Sequence, residues 1–304
     1  MKVTWTKPDG LLLLTIVIGL AGVVGVSRLI DSQRYVSKAT TDEEHLYLNG
    51  PTVKRASLGF NGLVADWYWM RSLQYVGRKV LASGQGLQLD NLGTLNLKLL
   101  APLLDTATTL DPQFMEPYEY AAIVLPTIDV QEATRITNKG IAANPSSWRL
   151  YQHLGYIYWE RHDYTAAQQT YSQGAKLPGA PAWMEAMSAR MAVEGGSRGT
   201  AQEIYRRMYE QSGDDKVKEM AKRRLLELSA LDLQDGLRGT VESYKSQSGK
   251  CPSSWQELGP ALRSSKMKLD QTGAPIDPAG VPYLLTNDKC EVKIDPKSEA
   301  AEKR

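Results

Sequence analysis

Residues 10–27, GLLLLTIVIGLAGVVGVS, carry no charge over 18 positions, and Leu29 and Ile30 extend the run past Arg28. About 20 such residues are needed for a helix to cross the hydrocarbon layer, so this stretch is a membrane-spanning candidate. Asp31 to Val53 is polar and turn-rich and reads as a stalk. Residues 55–80 return to an apolar pattern, with Leu63, Trp67, Met70, Gln74 and Gly77 at alternating four- and three-residue steps, as on one face of a helix. Ala82 to Asp90 is a loop, and Leu92 to Leu110 is a helix expected to pair back on the first. The clearest pattern lies between Trp148 and Pro178. Leu154, Gly155 and Tyr158 share one helical face, Tyr164, Ala167, Tyr171 and Gly174 the next, and His162 and Asp163 stand between them. This spacing predicts two antiparallel helices in which large rings face small residues.

One such hairpin cannot bury its apolar face alone, so neighbours are required. Ala133, Gly140 and Pro145 precede Ala167, Gly174 and Pro178 by 34, 34 and 33 residues. Ala107 and Pro112 precede Gly140 and Pro145 by 33, and Ala189, Ala201 and Tyr205 follow Gly155, Ala167 and Tyr171 by 34. Four helix pairs therefore lie in phase, with Pro117 and Pro126 expected to disturb the helix of the second. An irregular helical bundle with accidental spacing is the alternative. The order of W/Y, L-G, Y, Y, A, Y and A/G resembles the tetratricopeptide repeat, which implies a protein-binding scaffold. The segment from Ser57 to Gly77, SLGFNGLVADWYWMRSLQYVG, is similar to the opening of membrane-anchored bacterial tetratricopeptide proteins. That likeness implies an architecture and no activity.

Asp214 to Gln247 reads as further helix. It has a basic start at Lys216, Lys218, Lys222, Arg223 and Arg224 and an apolar stripe of Leu226, Leu233, Leu237, Val241 and Tyr244. Glu219 and Glu227 interrupt the basic run, which favours a solvated cap of the array over a lipid-bound helix. Beyond it, Val241, Tyr244, Gly249, Pro252 and Leu258, followed by IDPAGVPYLL at 276–285, resemble the soluble end of type II secretion pseudopilins. Cys251 stands where that family has Tyr, and Ala279 where it has Trp. No acidic cluster supports calcium ligation. Lys289 to Pro296 reads as a last strand and Lys297 to Arg304 as a tail.

The fold class expected is mainly α: a tetratricopeptide-like α-solenoid behind one N-terminal transmembrane helix, with a small α+β C-terminal subdomain. The divisions are 1–30 anchor, 31–54 linker, 55–230 helical repeats, 231–296 pseudopilin-like subdomain and 297–304 tail.

The 36 Lys and Arg against 34 Asp and Glu argue against a nucleic-acid partner. Two Phe against 15 Tyr and seven Trp place many rings with a polar end at a surface, in a groove or between helices. Cys251 and Cys290, 39 positions apart in the last quarter, suit a disulfide outside the reducing cytoplasm, with two unpaired buried thiols as the alternative. Lys2 and Lys7 precede the apolar run while Arg28, Arg34 and Lys38 follow it, so the positive-inside rule does not decide orientation. Anchor and cysteine pair together favour a cytoplasmic amino terminus and an extracytoplasmic, periplasmic body. A cleaved signal peptide is a competing reading without an evident A-x-A-like site. A prepilin site at Gly10 and Leu11 is another, with Thr15 in place of the usual Glu.

In a repeat array the first helix of each pair lines the groove. The expected partner-binding residues are Met115 and Tyr118 in the second unit, Arg149, Gln152, Tyr156 and Trp159 in the third, and Trp183, Ala186 and Arg190 in the fourth. Rings with two guanidinium groups suit a peptide or helix with apolar anchors and some acidic character. The Lys and Asn pattern that clamps a C-terminal carboxylate is not recognisable there. Asp66, beside Trp67 and Trp69, is a candidate acid or base, or else a pin paired with Arg71 or a backbone amide. His45, His153 and His162 lack metal-ligand spacing. Gly195, Ser197 and Gly199 match G-x-S-x-G between two helices, where a nucleophile elbow has no strand to lead into it. Neither a cofactor, a metal nor a small-molecule substrate is expected. The function expected is a non-catalytic membrane-anchored adaptor for a protein partner. The alternatives are an assembly factor of a secretion or pilus machine and an enzyme using Asp66.

Overall fold

A computed structural model describes residues 16–25, 28, 49–84, 89–265, 267–286 and 290–301. Residues 16–25 form a helix, α1, whose apolar side chains are exposed. The rest of the anchor candidate, His45, and the residues on which the signal-peptide and prepilin alternatives turn lie outside the described residues. Among the described residues no helix is long and apolar enough to cross a membrane.

The body is mainly α, built of helices packed in consecutive pairs, with a two-strand hairpin near its end. Its first helix, α2 (Gly50–Ala56), occupies the end of the expected linker. Asn49 caps it by accepting from the Thr52 amide at 3.1 Å, and Pro51 sits where no helical N–H is needed. Then come α3 (Asn61–Ser83), a 3₁₀ segment (Leu89–Leu95) and α4 (Leu100–Leu110). Asn96, in the left-handed region at φ 51°, turns the chain between the last two, so the helix expected from Leu92 starts eight residues later.

The covered face of α3 differs from the predicted one. Ala65, Tyr68, Ser72, Tyr75 and Val76 are buried, while Leu63, Trp67 and Met70 are exposed. Polarity alone misassigns the face because the buried hydroxyls find partners: Ser72 Oγ donates to the Trp69 carbonyl at 2.7 Å and Tyr75 Oη to that of Asn96 at 3.3 Å. A satisfied hydroxyl removes most of the penalty for burial.

The following pairs are α5 (Met115–Val124) with α6 (Val130–Ala143), α7 (Trp148–Glu160) with α8 (Tyr164–Ala175), and α9 (Trp183–Glu194) with α10 (Arg198–Gln211). Pro117 does not disturb α5, because it lies in the first turn, where the missing N–H has no helical acceptor. Pro126 falls in a one-turn 3₁₀ segment (Leu125–Thr127) that ends α5. Asp129 and Asp163 cap α6 and α8 by accepting backbone amides. His162, at φ 58°, makes the turn between α7 and α8.

The small-against-large pattern sets the helix crossings. A Cβ on Gly140 would lie 2.8 Å from the Tyr118 ring, one on Gly155 2.7 Å from Tyr171, and one on Gly174 2.5 Å from Met184. Only glycine permits these approaches. Between α4 and α6, Lys139 Nζ donates to the Asp105 carboxylate at 3.0 Å and to Thr108 and Thr109 hydroxyls at 2.9 and 2.6 Å. Burial lowers its pKa, and Asp105 opposes the shift.

The 34-residue α11 (Asp215–Ser248) belongs to two cores. Ala221 and Leu228 pack with α9 and α10, whereas Leu237 and Val241 pack with Trp255, Leu258, Leu262, Tyr283 and Val292. Gly249 at φ 74° ends the helix. The chain then forms α12 (Gly259–Ser264) and antiparallel strands β1 (Leu284–Thr286) and β2 (Glu291–Lys293), with Leu285 opposite Val292. Cys251 and Cys290 form a disulfide, with Cα atoms 5.3 Å apart, tying the end of α11 to the start of β2. Tyr283 Oη donates to the Ala230 carbonyl at 2.7 Å and Gln234 Nε2 to that of Val292 at 2.7 Å, seating the hairpin on the helix.

Candidate interaction face on the first helices

The exposed residues of α7 and α9 follow helical steps. Tyr156 and Trp159 on α7 and Arg190 on α9 meet across the seam between units. The Tyr156 and Trp159 rings meet edge-on at 5.5 Å, and the Arg190 guanidinium lies 5.5 Å from the Trp159 ring centre. Glu194 closes the group by accepting from Trp159 Nε1 at 3.0 Å and Arg190 Nε at 2.8 Å. Tyr156 Oη donates to Glu160 at 2.9 Å.

Two turns nearer the helix starts, Trp148 and Trp183 meet edge-on at 6.1 Å, with Arg149 stacked 5.7 Å from the Trp148 ring. Arg149, Tyr156, Trp183 and Arg190 are exposed, and Gln152 and Trp159 are half-buried. Each exposed stacking contact contributes about 0.5–1 kcal/mol, so the face is ordered without being closed.

Two expected residues do not belong to it. Tyr118 is 0% exposed: its ring fills the space above Gly140 and its hydroxyl donates to the Thr108 carbonyl at 3.4 Å. Desolvation there pushes its pKa up to about 12. Met115, half-buried, packs against the core shared by α2 to α7. The charge expectation also changes. Arg190 is paired with Glu194, so of the two guanidiniums only that of Arg149 has no carboxylate partner among the described residues.

Trp148, Glu160 and Glu194 were missed. The i,i+4 spacings of Tyr156 with Glu160 and Arg190 with Glu194 were a usable signal for the two carboxylates. His153, half-buried behind Arg149, has its pKa lowered by burial and by that guanidinium, while Glu119 raises it.

The remaining candidates are scattered. Asp66 is exposed on α3, and Arg71, its expected side-chain partner, lies over the Trp67 ring at 5.1 Å. Ser197 precedes α10 in a helix-to-helix turn. His162 Nδ1 is 2.9 Å from the Tyr164 hydroxyl. A shallow cleft of about 270 Å³ lies between α9, α10 and the start of α11, and its charged residues Glu185 and Arg207 neutralise each other at 2.6 Å. Among the described residues no group of His, Cys, Asp and Glu could hold a metal ion.

Comparison with family models finds no match for this chain, and comparison with curated proteins finds none.

Proposed function

We propose that the helix pairs form a tetratricopeptide-type scaffold, held at a membrane by residues 10–30, that binds a protein segment along the first helices of its units. The reading is non-catalytic and needs no cofactor. The observation that supports it is the exposed band of rings and guanidinium groups across α7 and α9, formed by Arg149, Tyr156, Trp183 and Arg190. Large amphipathic rings supply apolar contact area at low entropic cost, and Arg149 adds a site for a carboxylate. The disulfide supports an oxidising compartment, which suits an extracytoplasmic body. An anchor would raise the local concentration of the bound segment at the membrane.

A photocrosslinker at Tyr156 or Trp183, activated in native membranes, tests this. A discrete crosslinked polypeptide should form there but not from Tyr209 on α10. Arg149→Glu should reduce the yield severalfold without lowering the melting temperature. Equal labelling from all three positions would remove the groove reading. Arg149 is a better probe than Arg190, whose reversal also breaks the pair with Glu194.

A second reading, an assembly factor of a secretion or pilus machine, draws on the C-terminal hairpin seated on the long helix α11. In that case deletion of residues 248–304 should abolish co-purification with the machine, which a groove binder would survive.

A further inference from the structure

The outer face of α3 carries large apolar side chains over its first three turns, followed by Gln74, Gly77 and then Leu81, and none of the described residues covers it. Leu63 is 70% exposed, Phe60 67%, Trp67 and Met70 52% each, and Leu81, at the last turn, 82%. Positions 63, 67, 70 and 81 fall within one narrow stripe of a helix, and Phe60 leads into it. Scattered single apolar residues need no explanation, but four large ones, Phe60, Leu63, Trp67 and Met70, gathered on one face of the first three turns of a 23-residue helix mark a contact surface.

The charges that border it, Arg71 and Arg78, indicate what it contacts, in a segment that is itself basic. Between residues 49 and 84 there are five cations, Lys54, Arg55, Arg71, Arg78 and Lys79, against one carboxylate, Asp66. Arg71 and Arg78, seven residues apart, share one flank of the stripe, and Arg71 is stacked on Trp67. Phe, Leu and Trp on one side with Arg beside them is the pattern of a helix lying in the headgroup layer of an anionic bilayer. A second copy of this chain would bring the same cations against each other.

Reach allows it. The 18 residues from 31 to 48 separate the apolar run from the start of this unit and span at most about 60 Å, so the helix stays near whatever surface the run enters. We infer that the outer face of α3 lies on an anionic membrane surface, with the Phe60, Leu63, Trp67 and Met70 side chains in the headgroup layer, and so sets the orientation of the array above the bilayer. This rests on the membrane attachment proposed above.

The test uses the full chain in phosphatidylcholine vesicles containing one third phosphatidylglycerol. An environment-sensitive fluorophore is placed at Met70→Cys, and in a second sample at Tyr209→Cys, with the native disulfide left oxidised. Nitroxide-bearing lipids should quench the position-70 label at least twofold more than the position-209 label. That excess should disappear in the Arg71→Glu, Arg78→Glu double variant. Equal quenching at the two positions overturns the inference. So does a blue shift at position 70 that grows with protein density without lipid quenching, which would identify a second copy. A blue shift without lipid quenching at any density would identify the chain's own amino-terminal segment, with the same result. Resistance to alkaline carbonate reads the anchor separately: an extractable protein whose position-70 label still meets nitroxide lipid loses the anchor and keeps the face, and a resistant one with a water-exposed label does the reverse.

Discussion

At Gly155 the missing side chain lets α7 lie against the Tyr171 ring of α8, and a methyl there would sit 2.7 Å from ring atoms that are themselves buried. Gly155→Ala should therefore cost about 1–3 kcal/mol, read as a lower denaturant midpoint at unchanged m-value. Gly77, on the exposed face of α3 with nothing within 4 Å of an added Cβ, provides the opposite case. Gly77→Ala should gain up to about 1 kcal/mol from helix propensity. The same crossings carry a pH signature. Burial pushes the Tyr118 and Tyr171 hydroxyls from 10.0 up to about 12. A group whose folded pKa is raised contributes stability fully present below its unfolded pKa and lost as pH rises through the folded one. Melting temperature should thus hold to about pH 10 and fall steeply between 10 and 12, and Tyr118→Phe should flatten part of that fall. A Tm independent of pH in this window would contradict the burial of these rings.

Among the elements, the C-terminal hairpin is the piece with the least core of its own: two three-residue strands and a one-turn helix against the second half of α11. The Cys251–Cys290 bridge closes 39 residues, for which loop-closure entropy gives about 4 kcal/mol. Reduction, or the Cys251→Ser, Cys290→Ser pair, should accelerate amide exchange in residues 251–294 by orders of magnitude. Exchange in α7 and α8, which the bridge does not touch, should stay as it was. Loss of protection in both regions would mean that the array also depends on the bridge.

For the molecule as a whole, α11 is the mechanical link. Its first half closes the array against α10, Arg198 reaches Asp232 and Asp235 just past its midpoint at 3.0 and 2.6 Å, and its second half is the floor of the hairpin core. The ion pairs are exposed and contribute at most about 1 kcal/mol, so continuity of the helix carries the coupling. Ala230, fully buried between the two clusters, is the position to break. Ala230→Pro should cost about 3 kcal/mol or more and split a single calorimetric transition into two. One transition at an unchanged midpoint would mean that the two cores do not communicate through this helix.

The sequence by itself determined the helix pairs of the array, their 34-residue phase and the glycines at their crossings, and it placed both cysteines in one segment where the structure then joins them. Each of these is set by partners within one or two helices along the chain, and that spacing is visible in the letters. Tertiary structure alone decided which face of α3 is covered, because buried hydroxyls with backbone acceptors, one of them beyond the helix at Asn96, reversed what polarity predicted. It also decided that Tyr118 is core, since only the approach of α6 puts Gly140 over its ring. The same holds for the stacking of the Arg190 guanidinium on Trp159 across the α7–α9 seam, whereas its i,i+4 pairing with Glu194 is legible in the spacing. Packing between separate elements chooses among side-chain partners that a one-dimensional pattern leaves equivalent.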